Sequence, residues 1–303
     1  MNRPVRIGTR DSELAVWQAE TVLNALEGTG VPGELIHVKS EGDLDLETPL
    51  SELGGKGVFT KALDEALLNG DIDIAVHSYK DLPTDQPLPL QVAAVLKRGD
   101  HRDSLVAPKG AGFLEDASAG AVVATGSNRR RAQWLHRFPN HKMADIRGNV
   151  HTRLRKVEEN EWDGAIFAAA GLQRVGLEDR ITEYLDWMVP APAQGAVAVM
   201  VREEDRRIAS VVRPLHDPET GLCTGIEREL LNRMEAGCSA PVGAYAWLEK
   251  NLLILYAVAL ETDGSLQYDV ELSEKPERAP GLGIRAAEAL LEKGAGRLIE
   301  SLR

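Results

Sequence analysis

Residues 59–83 read FTKALDEALLNGDIDIAVHSYKDLP. In the first half of this stretch, apolar side chains recur at helical spacing until Gly70 ends the predicted helix: Phe59, Leu63, Ala66 and Leu67. The second half begins with an apolar strand over 72–76, and Pro83 closes the turn that follows it. A helix followed at once by a buried strand is typical of α/β proteins.

The same alternation extends along the chain on both sides of this stretch. Upstream, a strand over 5–8 precedes a helix for which Ser12 is a good N-cap and Gly28 a stop. Downstream we predict strands over 121–125, 144–147, 165–169 and 195–201, with helices over 130–137 and 152–159. The sequence therefore predicts an α/β protein with mostly parallel sheets.

The last part of the chain has a different pattern. After Asp217 a helix is predicted over 225–235, and two apolar segments, 252–260 and 267–272, pair across the turn Asp263-Gly264. A last amphipathic helix is predicted over 284–292. We predict that this tail forms a separate small α+β domain.

Composition excludes several classes of protein. The chain has 303 residues, of which 43% are hydrophobic and 27% charged, as in ordinary globular proteins, so disorder is excluded as its main state. At roughly 150 residues per domain, we expect two or three domains. No apolar stretch is long enough to cross a bilayer, and residues 1–9 lack the apolar core of a signal peptide. Cys223 and Cys238 cannot form a disulfide framework and no Cys/His cluster has metal-ligand spacing, so we expect a cytoplasmic protein without a metal.

The distribution of charge points to a small anionic ligand. With 35 Lys plus Arg against 47 Asp plus Glu, the formal net charge is −12, which argues against a nucleic-acid-binding protein. One region is nevertheless dense in arginine: Arg129, Arg130, Arg131, Arg147, Arg153 and Arg155. In an acidic protein, such a region favours a compact anion as the ligand.

Arginines follow three predicted strands, at the end of the sheet where α/β proteins bind ligands. Arg10 lies in the loop 9–12, Arg129 and Arg130 lie in the loop 125–130, and Arg147 lies in the loop 146–149. A cation at a helix N-terminus is unfavourable unless an anion binds there. A solvated surface position stays open for any single arginine, whereas their repetition favours a ligand with several carboxylates or phosphates.

The glycine-rich segment Gly54-Gly-Lys-Gly57 is not a P-loop, because Gly57 stands where a Ser or Thr would bind Mg²⁺. We predict a mobile lid in which Lys56 contacts an anion, and we expect Phe59 in the core of the following helix.

Two further residues each have a structural and a functional interpretation. Asp81 follows a strand, either as a turn residue that binds its own backbone or as a carboxylate that stabilises positive charge and transfers protons. Cys238 lies among small residues in 235–241, where it is either an inert buried thiol or one open to covalent modification. Cys223 is expected to be structural, and His77 to be a satisfied, partly buried histidine outside the chemistry.

Eight segments together resemble the porphobilinogen deaminase family, the hydroxymethylbilane synthases of tetrapyrrole biosynthesis. They occur in the family's order and cover nearly the whole chain: RIGTRDS (6–12), GGKGVF (54–59), DIAVHSYKDLP (73–83), SNRR (127–130), IRGNVHTRL (146–154), the stretch from AGL (170–172) to Leu177, PAQGAV (192–197) and EAGCSAPVG (235–243).

The resemblance implies three domains. The first two, over 1–97 with 195–213 and over 98–194, are similar to the doubly wound halves of a type II periplasmic binding protein. The third, over 217–303, is the small α+β domain that carries Cys238. We expect a monomer that binds neither a membrane nor a nucleic acid.

The resemblance also implies the reaction. Four porphobilinogen molecules are joined head to tail with loss of ammonia on a dipyrromethane cofactor, and hydroxymethylbilane is released for uroporphyrinogen-III synthase in haem and porphyrin biosynthesis. Cys238 holds the cofactor by a thioether, and Asp81 matches the catalytic aspartate. The positions that bind cofactor or substrate are Arg10, Ser12, Lys56, Phe59, Ser78, Lys80, Ser127, Arg129, Arg130, Arg147, Arg153 and Gln194.

Five residues depart from the family's usual pattern: Asp11, Glu13, Glu52, Gly126 and Asn128. Each extra exposed negative charge near an anion site is expected to weaken binding by about 1 kcal/mol at most. We therefore expect a raised apparent KM, but the same reaction.

A solute-binding protein of the same two-lobed architecture is the main alternative. It would explain the arginine loops, but not Asp81 together with Cys238, and such proteins normally carry an export signal. A nucleic-acid-binding module using 129–131 is disfavoured by the acidity and by the lack of interleaved aromatic residues.

Overall fold

The computed structural model describes residues 3–39, 60–84, 89–116, 120–235 and 240–300. The predictions for Glu52, Lys56, Phe59 and Cys238 lie outside these residues. The chain divides into two compact units, Met1–Gly99 with Gly195–Leu222, and Asp100–Gln194 with Cys223–Arg303. The division into three domains stays a prediction.

The secondary structure alternates between strands and helices through most of the described chain. The strands are β1 Val5–Thr9, β2 Gly33–His37, β3 Ile74–Ser78, β4 Leu90–Val95, β5 Asp103–Val106, β6 Val122–Ala124, β7 Lys142–Ala144, β8 Gly164–Ala168, β9 Glu183–Tyr184, β10 Val197–Arg202, β11 Val242–Glu249, β12 Leu252–Leu260 and β13 Gln267–Glu274. The α-helices are α1 Glu13–Gly28, α2 Lys61–Leu68, α3 Asn128–Arg137, α4 Val150–Glu159, α5 Ala169–Arg174, α6 Arg206–Val212, α7 Pro218–Arg233, α8 Leu282–Leu290 and α9 Gly296–Glu300.

The first unit is built on a five-stranded sheet in the order β2-β1-β3-β10-β4. Strands β1, β2 and β3 are parallel, and β10 runs antiparallel to both of its neighbours. On one face of the sheet, Val76 and Val199 pack in one apolar core with Val22 and Leu26 of α1. Strand β3 is buried along almost its whole length, which explains its continuous apolar sequence.

The second unit contains a sheet in the order β7-β6-β8-β5-β9, in which β5 is the antiparallel strand. Both five-stranded sheets thus have the same order, with the antiparallel strand in fourth position. Each antiparallel strand follows closely after the chain has passed from one unit to the other, at Asp100 and at Gly195.

The C-terminal part forms an antiparallel sheet, β11-β12-β13, with α8 packed on it. Leu260 pairs with Gln267 next to the predicted turn, so the predicted hairpin is confirmed. The predicted fold class, two doubly wound α/β sheets and a small C-terminal α+β part, is confirmed as well. No helix in the described part of the chain is long and apolar enough to span a membrane.

Several predicted element bounds are wrong. Helix α7 begins at Pro218 rather than at residue 225, because Asp217 accepts a hydrogen bond from the Thr220 N–H at 2.8 Å and so caps the helix. Strand β7 covers Lys142–Ala144, which leaves 145–147 in the loop after it. Ser12 stands at the N-cap position of α1, but its side chain makes no capping hydrogen bond.

Candidate active site

A cavity of about 80 Å³ lies in the first unit, where β1 and β3 end side by side. Because these strands are parallel, their carboxyl ends and the loops after them meet at one edge of the sheet. Four of the predicted site residues line this cavity together: Arg10, Ser12, Ser78 and Asp81. The structure therefore brings together residues that are far apart in the sequence.

Asp81 ends a single 3-10 turn, Tyr79–Asp81, directly after β3. The buried Tyr79 fixes this turn, since its N–H donates to the Ala196 carbonyl at 3.0 Å. The Asp81 side chain is exposed and forms no hydrogen bond with any residue that the structure describes. The interpretation of Asp81 as a turn residue that binds its own backbone finds no support, and the carboxylate is available to a ligand. Lys80, in the same turn, is half-buried.

Gln18 lines the cavity and was missed by the sequence analysis. It is buried on α1 and donates a hydrogen bond from Nε2 to the Ser78 Oγ at 2.8 Å, which orients that hydroxyl. Its signal in the sequence was a polar residue four positions before Val22, on the apolar face of an amphipathic helix.

His77 also lines the cavity, and the prediction of a satisfied, partly buried histidine is wrong. The side chain is buried, and its Nε2 has no hydrogen-bond partner among the described residues. Burial, with a smaller contribution from Arg10, lowers the pKa of His77 to about 3. The imidazole is therefore neutral at physiological pH.

This pKa makes the stability of the protein depend on pH. The unfolded chain binds a proton at His77 near pH 6.5 but the folded chain only near pH 3, so the free energy of unfolding decreases as the pH falls from 6.5. At pH 5 the loss is about 2 kcal/mol. Urea unfolding at pH 7 and pH 5 is expected to show a smaller difference for His77→Gln than for the wild type. The exposed His151→Gln should keep the wild-type difference, and an equal difference in His77→Gln would contradict the assignment.

In the second unit, the predicted loops 125–130 and 146–149 lead into α3 and α4. Ser127 caps α3 by accepting from the Arg130 N–H at 3.5 Å, and Asn149 caps α4 by accepting from the Thr152 N–H at 2.9 Å. Gly148 has φ +111°, and a Cβ there would lie 2.6 Å from Thr152 Cγ2, so only glycine fits this turn.

The turn at Gly148 places two predicted binding residues. Arg153 Nε donates to the Gly148 carbonyl at 2.7 Å, which holds this guanidinium against the loop. Arg147 is half-buried, and its Nη1 is a buried donor without a partner among the described residues. A buried cationic donor in this state matches an anionic ligand, because an unsatisfied N–H is costly.

Arg129 and Arg130 are buried rather than solvated, and both donate to Asp103. Gln194 is buried too, and its Nε2 donates to the His101 carbonyl and to Asp103, each at 2.9 Å. These three predicted binding residues thus belong to one internal network of the second unit. No local pattern in the sequence pointed to Asp103.

Arg174 is a further cation that the sequence analysis did not single out. It ends α5, which follows directly after β8. Burial lowers its pKa to about 10, so it is still cationic at neutral pH. A search for arginines in the segment after each predicted strand would have found Arg174 as well, because α5 follows β8 directly.

The departures from the family pattern have local explanations. Asp11 pairs with His37, whose Nδ1 lies 2.9 Å from its carboxylate, and both side chains are half-exposed or more. Glu13 is exposed in the first turn of α1, where a negative charge is favourable. At Gly126 an added Cβ would lie 2.7 Å from the Ile146 carbonyl oxygen, so a serine would require the loop to shift. Asn128 is the first residue of α3.

The acidic departures allow a direct test. Replacing Asp11 by glutamine and Glu13 by proline, which fits the first helical position, is expected to lower the apparent KM up to about fivefold. The salt dependence of KM should weaken at the same time, because fewer exposed charges act on the ligand. Steady-state kinetics at low and high salt measure both. If neither changes, these carboxylates do not act on the ligand.

Among the described residues, no group of three or more His, Cys, Asp or Glu could hold a metal ion.

Comparisons with known proteins agree with this arrangement. The family model "Porphobilinogen deaminase, dipyromethane cofactor binding domain" matches residues 5–210, and the model "Porphobilinogen deaminase, C-terminal domain" matches residues 222–292. The porphobilinogen deaminase of Syntrophotalea carbinolica is 42% identical over 98% of this chain and 96% of its own length. That of Desulfitobacterium hafniense is 41% identical over 99% of this chain and 97% of its own.

Solved structures add only a distant likeness. The methionine binding protein MetQ is 14% identical with a TM-score of 0.44 and covers 70% of this chain and 89% of its own, which bears on neither fold nor function. Two matching family models and full-length relatives, together with the cavity around Asp81, lead to one assignment. The chain belongs to the porphobilinogen deaminase family of hydroxymethylbilane-synthesising transferases.

Proposed function

We propose that the chain joins four porphobilinogen molecules head to tail on a dipyrromethane cofactor held by Cys238, with release of ammonia. The observation that carries this proposal is the cavity in which Asp81 lies together with Arg10, Ser12 and Ser78. It combines a carboxylate available for proton transfer with a cation and hydroxyl groups that bind carboxylates.

The residues present suit such a cofactor. Each of its two pyrroles bears an acetate and a propionate, so it requires several cationic donors. Arg10 in the first unit and Arg147 in the second are cations in loops after strands, and Arg153 lies in the first turn of α4. Arg147 Nη1 is a buried donor with no described partner. When bound, the cofactor supplies the pyrrole carbon to which the first substrate is joined.

Asp81 would act on the substrate. Loss of ammonia leaves a positive charge that is shared with the pyrrole nitrogen. A carboxylate beside that N–H stabilises the charge and accepts a proton when the pyrroles are joined. Because His77 stays neutral, its imidazole adds no positive charge that would oppose this one.

Gln18 and Ser78 would orient the ligand. The Gln18 amide donates to the Ser78 hydroxyl, so the hydroxyl hydrogen is free to donate to a ligand carboxylate. Ser12, in the loop after the neighbouring strand β1, offers a second hydroxyl to the same cavity.

We propose a monomer in the cytoplasm that serves haem and porphyrin biosynthesis and passes its product to uroporphyrinogen-III synthase. The family membership and the presence of only two cysteines support this setting.

The intact mass under denaturing conditions tests the proposal. We expect the wild type to exceed its sequence mass by two porphobilinogen units less two ammonia molecules, and Cys238→Ser to lack this excess. Cys223→Ser is the matched control and should keep it, because Cys223 is buried in α7.

A wild type without the excess mass should gain it on incubation with porphobilinogen. If the wild type neither carries the excess mass nor gains it on incubation, the proposal fails. Reversible binding of porphobilinogen that survives Cys238→Ser would then favour a solute-binding protein.

A further inference from the structure

Asp103 is the centre of a buried network in the second unit. Its side chain is 0% exposed, and four N–H donors of three residues converge on it. Arg129 Nη1 lies 2.7 Å from Oδ2. Arg130 Nε and Nη2 lie 2.9 and 2.8 Å from Oδ1, and Gln194 Nε2 lies 2.9 Å from the same oxygen. The surrounding guanidinium groups hold the pKa of Asp103 well below its usual range despite its burial.

The two arginines use their donors differently. Arg130 also donates from Nη1 to the Ile166 carbonyl at 3.0 Å, so its contacts with Asp103 and Ile166 involve every nitrogen of the guanidinium. Arg129 donates from Nη1 alone, to Asp103 and to the Val189 carbonyl, each at 2.7 Å. Its Nε and Nη2 donate to none of the described residues. This is the edge of a guanidinium that binds a carboxylate with two parallel hydrogen bonds.

The charges of the network do not balance. Two guanidinium groups face one carboxylate, which leaves one positive charge in a place where Arg129 and Arg130 are 4% and 6% exposed. A buried unpaired charge is costly unless a counterion neutralises it. The network is therefore suited to one further negative group.

The C-terminal part of the same unit holds the network in place. Glu227 of α7 is fully buried and accepts from the Ala193 N–H at 2.6 Å and from the Ala246 N–H of β11 at 2.8 Å. Ala193 has φ +63°, a conformation that is rare for residues other than glycine and is kept here by these contacts. These contacts therefore also fix the backbone of Gln194, the next residue, whose side chain donates to Asp103.

We propose that Asp103 and Gln194 are positioning residues, which hold Arg129 so that its Nε–Nη2 edge binds a carboxylate of the anionic cofactor or substrate. This inference rests on the proposed function. Neither residue contacts the ligand itself, because both act by holding Arg129 in position. Arg130 is the second anchor of the carboxylate.

The test compares Asp103→Glu with Asp103→Asn. The glutamate keeps the charge but moves the carboxylate by about one methylene, whereas the asparagine keeps the shape and removes the charge. If position matters, the glutamate variant binds the ligand weakly, because a misplacement of about 1 Å costs up to about 100-fold. The asparagine variant binds weakly as well, because its amide nitrogen is a donor and cannot accept from the N–H groups on that side. If only the charge matters, the glutamate variant retains wild-type binding.

The first readout is the rate at which cofactor-free protein gains the cofactor mass on incubation with porphobilinogen. We expect Asp103→Glu and Asp103→Asn to load about 10-fold to 100-fold more slowly than the wild type. Gln194→Met, which removes one donor at similar volume, should load about 10-fold more slowly. In loaded protein, the apparent KM should rise while kcat changes less than about threefold.

Two controls separate positioning from loss of stability. Arg131 lies on α3, as Arg129 and Arg130 do, and pairs with the exposed Asp145. Asp145→Asn removes this exposed ion pair and should load like the wild type. Val157→Ala creates a cavity in the core of the second unit and lowers the melting temperature, but should load at the wild-type rate at a temperature where it is folded.

Wild-type loading by Asp103→Glu would overturn the inference while leaving the proposed function intact. Slow loading by Val157→Ala, measured as far below its melting temperature as the Asp103 variants are below theirs, would overturn it as well. Reduced stability alone would then explain the effect. A wild type that neither carries nor gains the cofactor mass would overturn both proposals.

Discussion

Replacing Asp81 by asparagine is expected to lower kcat by a factor of about 10² to 10⁴. The amide has nearly the shape of the carboxylate but cannot accept a proton or balance the positive charge that develops when ammonia leaves. Because Asp81 is exposed and binds no described residue, the substitution should leave the melting temperature unchanged. Ammonia release and product formation measure the effect in protein whose cofactor mass has been confirmed.

Asp71→Asn provides the matched control for this prediction. Asp71 is exposed, precedes β3 in the same unit and lies outside the cavity, so its variant should retain wild-type kcat. A kcat for Asp81→Asn within about threefold of the wild type would mean that another group carries the proton transfer.

Asp103→Ala is expected to reduce the free energy of unfolding by about 3–5 kcal/mol at pH 7. The substitution leaves two buried guanidinium groups without the carboxylate to which they donate. Asp145→Ala is the control, because the ion pair that it removes is largely exposed on the carboxylate side and is worth about 1 kcal/mol at most.

The effect of Asp103→Ala depends on pH in a defined direction. The pKa of Asp103 is lowered in the folded protein, so its stabilisation is present above the unfolded value near 4 and is lost as the pH falls towards the lowered one. Urea unfolding at pH 7 and pH 3 should therefore show a smaller difference between wild type and variant at pH 3. A difference that is independent of pH would show that packing, and not the ion network, is responsible.

Two strands that the sequence predicted, β3 and β10, are buried along almost their whole length. Strand β3 and strand β10 are continuous apolar runs because helices or loops cover both sides of the sheet. Strands β2, β4, β5, β9 and β11 were missed. Strand β2 contains only partly buried and exposed residues, and β9 has two residues, so neither leaves a long apolar run in the sequence.

The candidate site was predictable to the extent that it follows from strand ends. Asp81, Ser78 and Arg10 each come directly after or at the end of a strand, and parallel pairing of β1 with β3 places them at one edge. Gln18 lies in the middle of a helix, and its role depends on the packing of α1 against β3.

The sequence by itself determined the family, the α/β class and the loops that carry the arginines, because these follow from local periodicity and from motifs in a set order. Only the tertiary structure decided which arginines are already engaged within the protein. Asp103 meets Arg129 and Arg130 across 26 and 27 residues and Gln194 across 91 residues. Side chains so far apart in the sequence leave no local pattern, and their pairing depends on how β5, α3 and the segment before β10 pack in the folded chain.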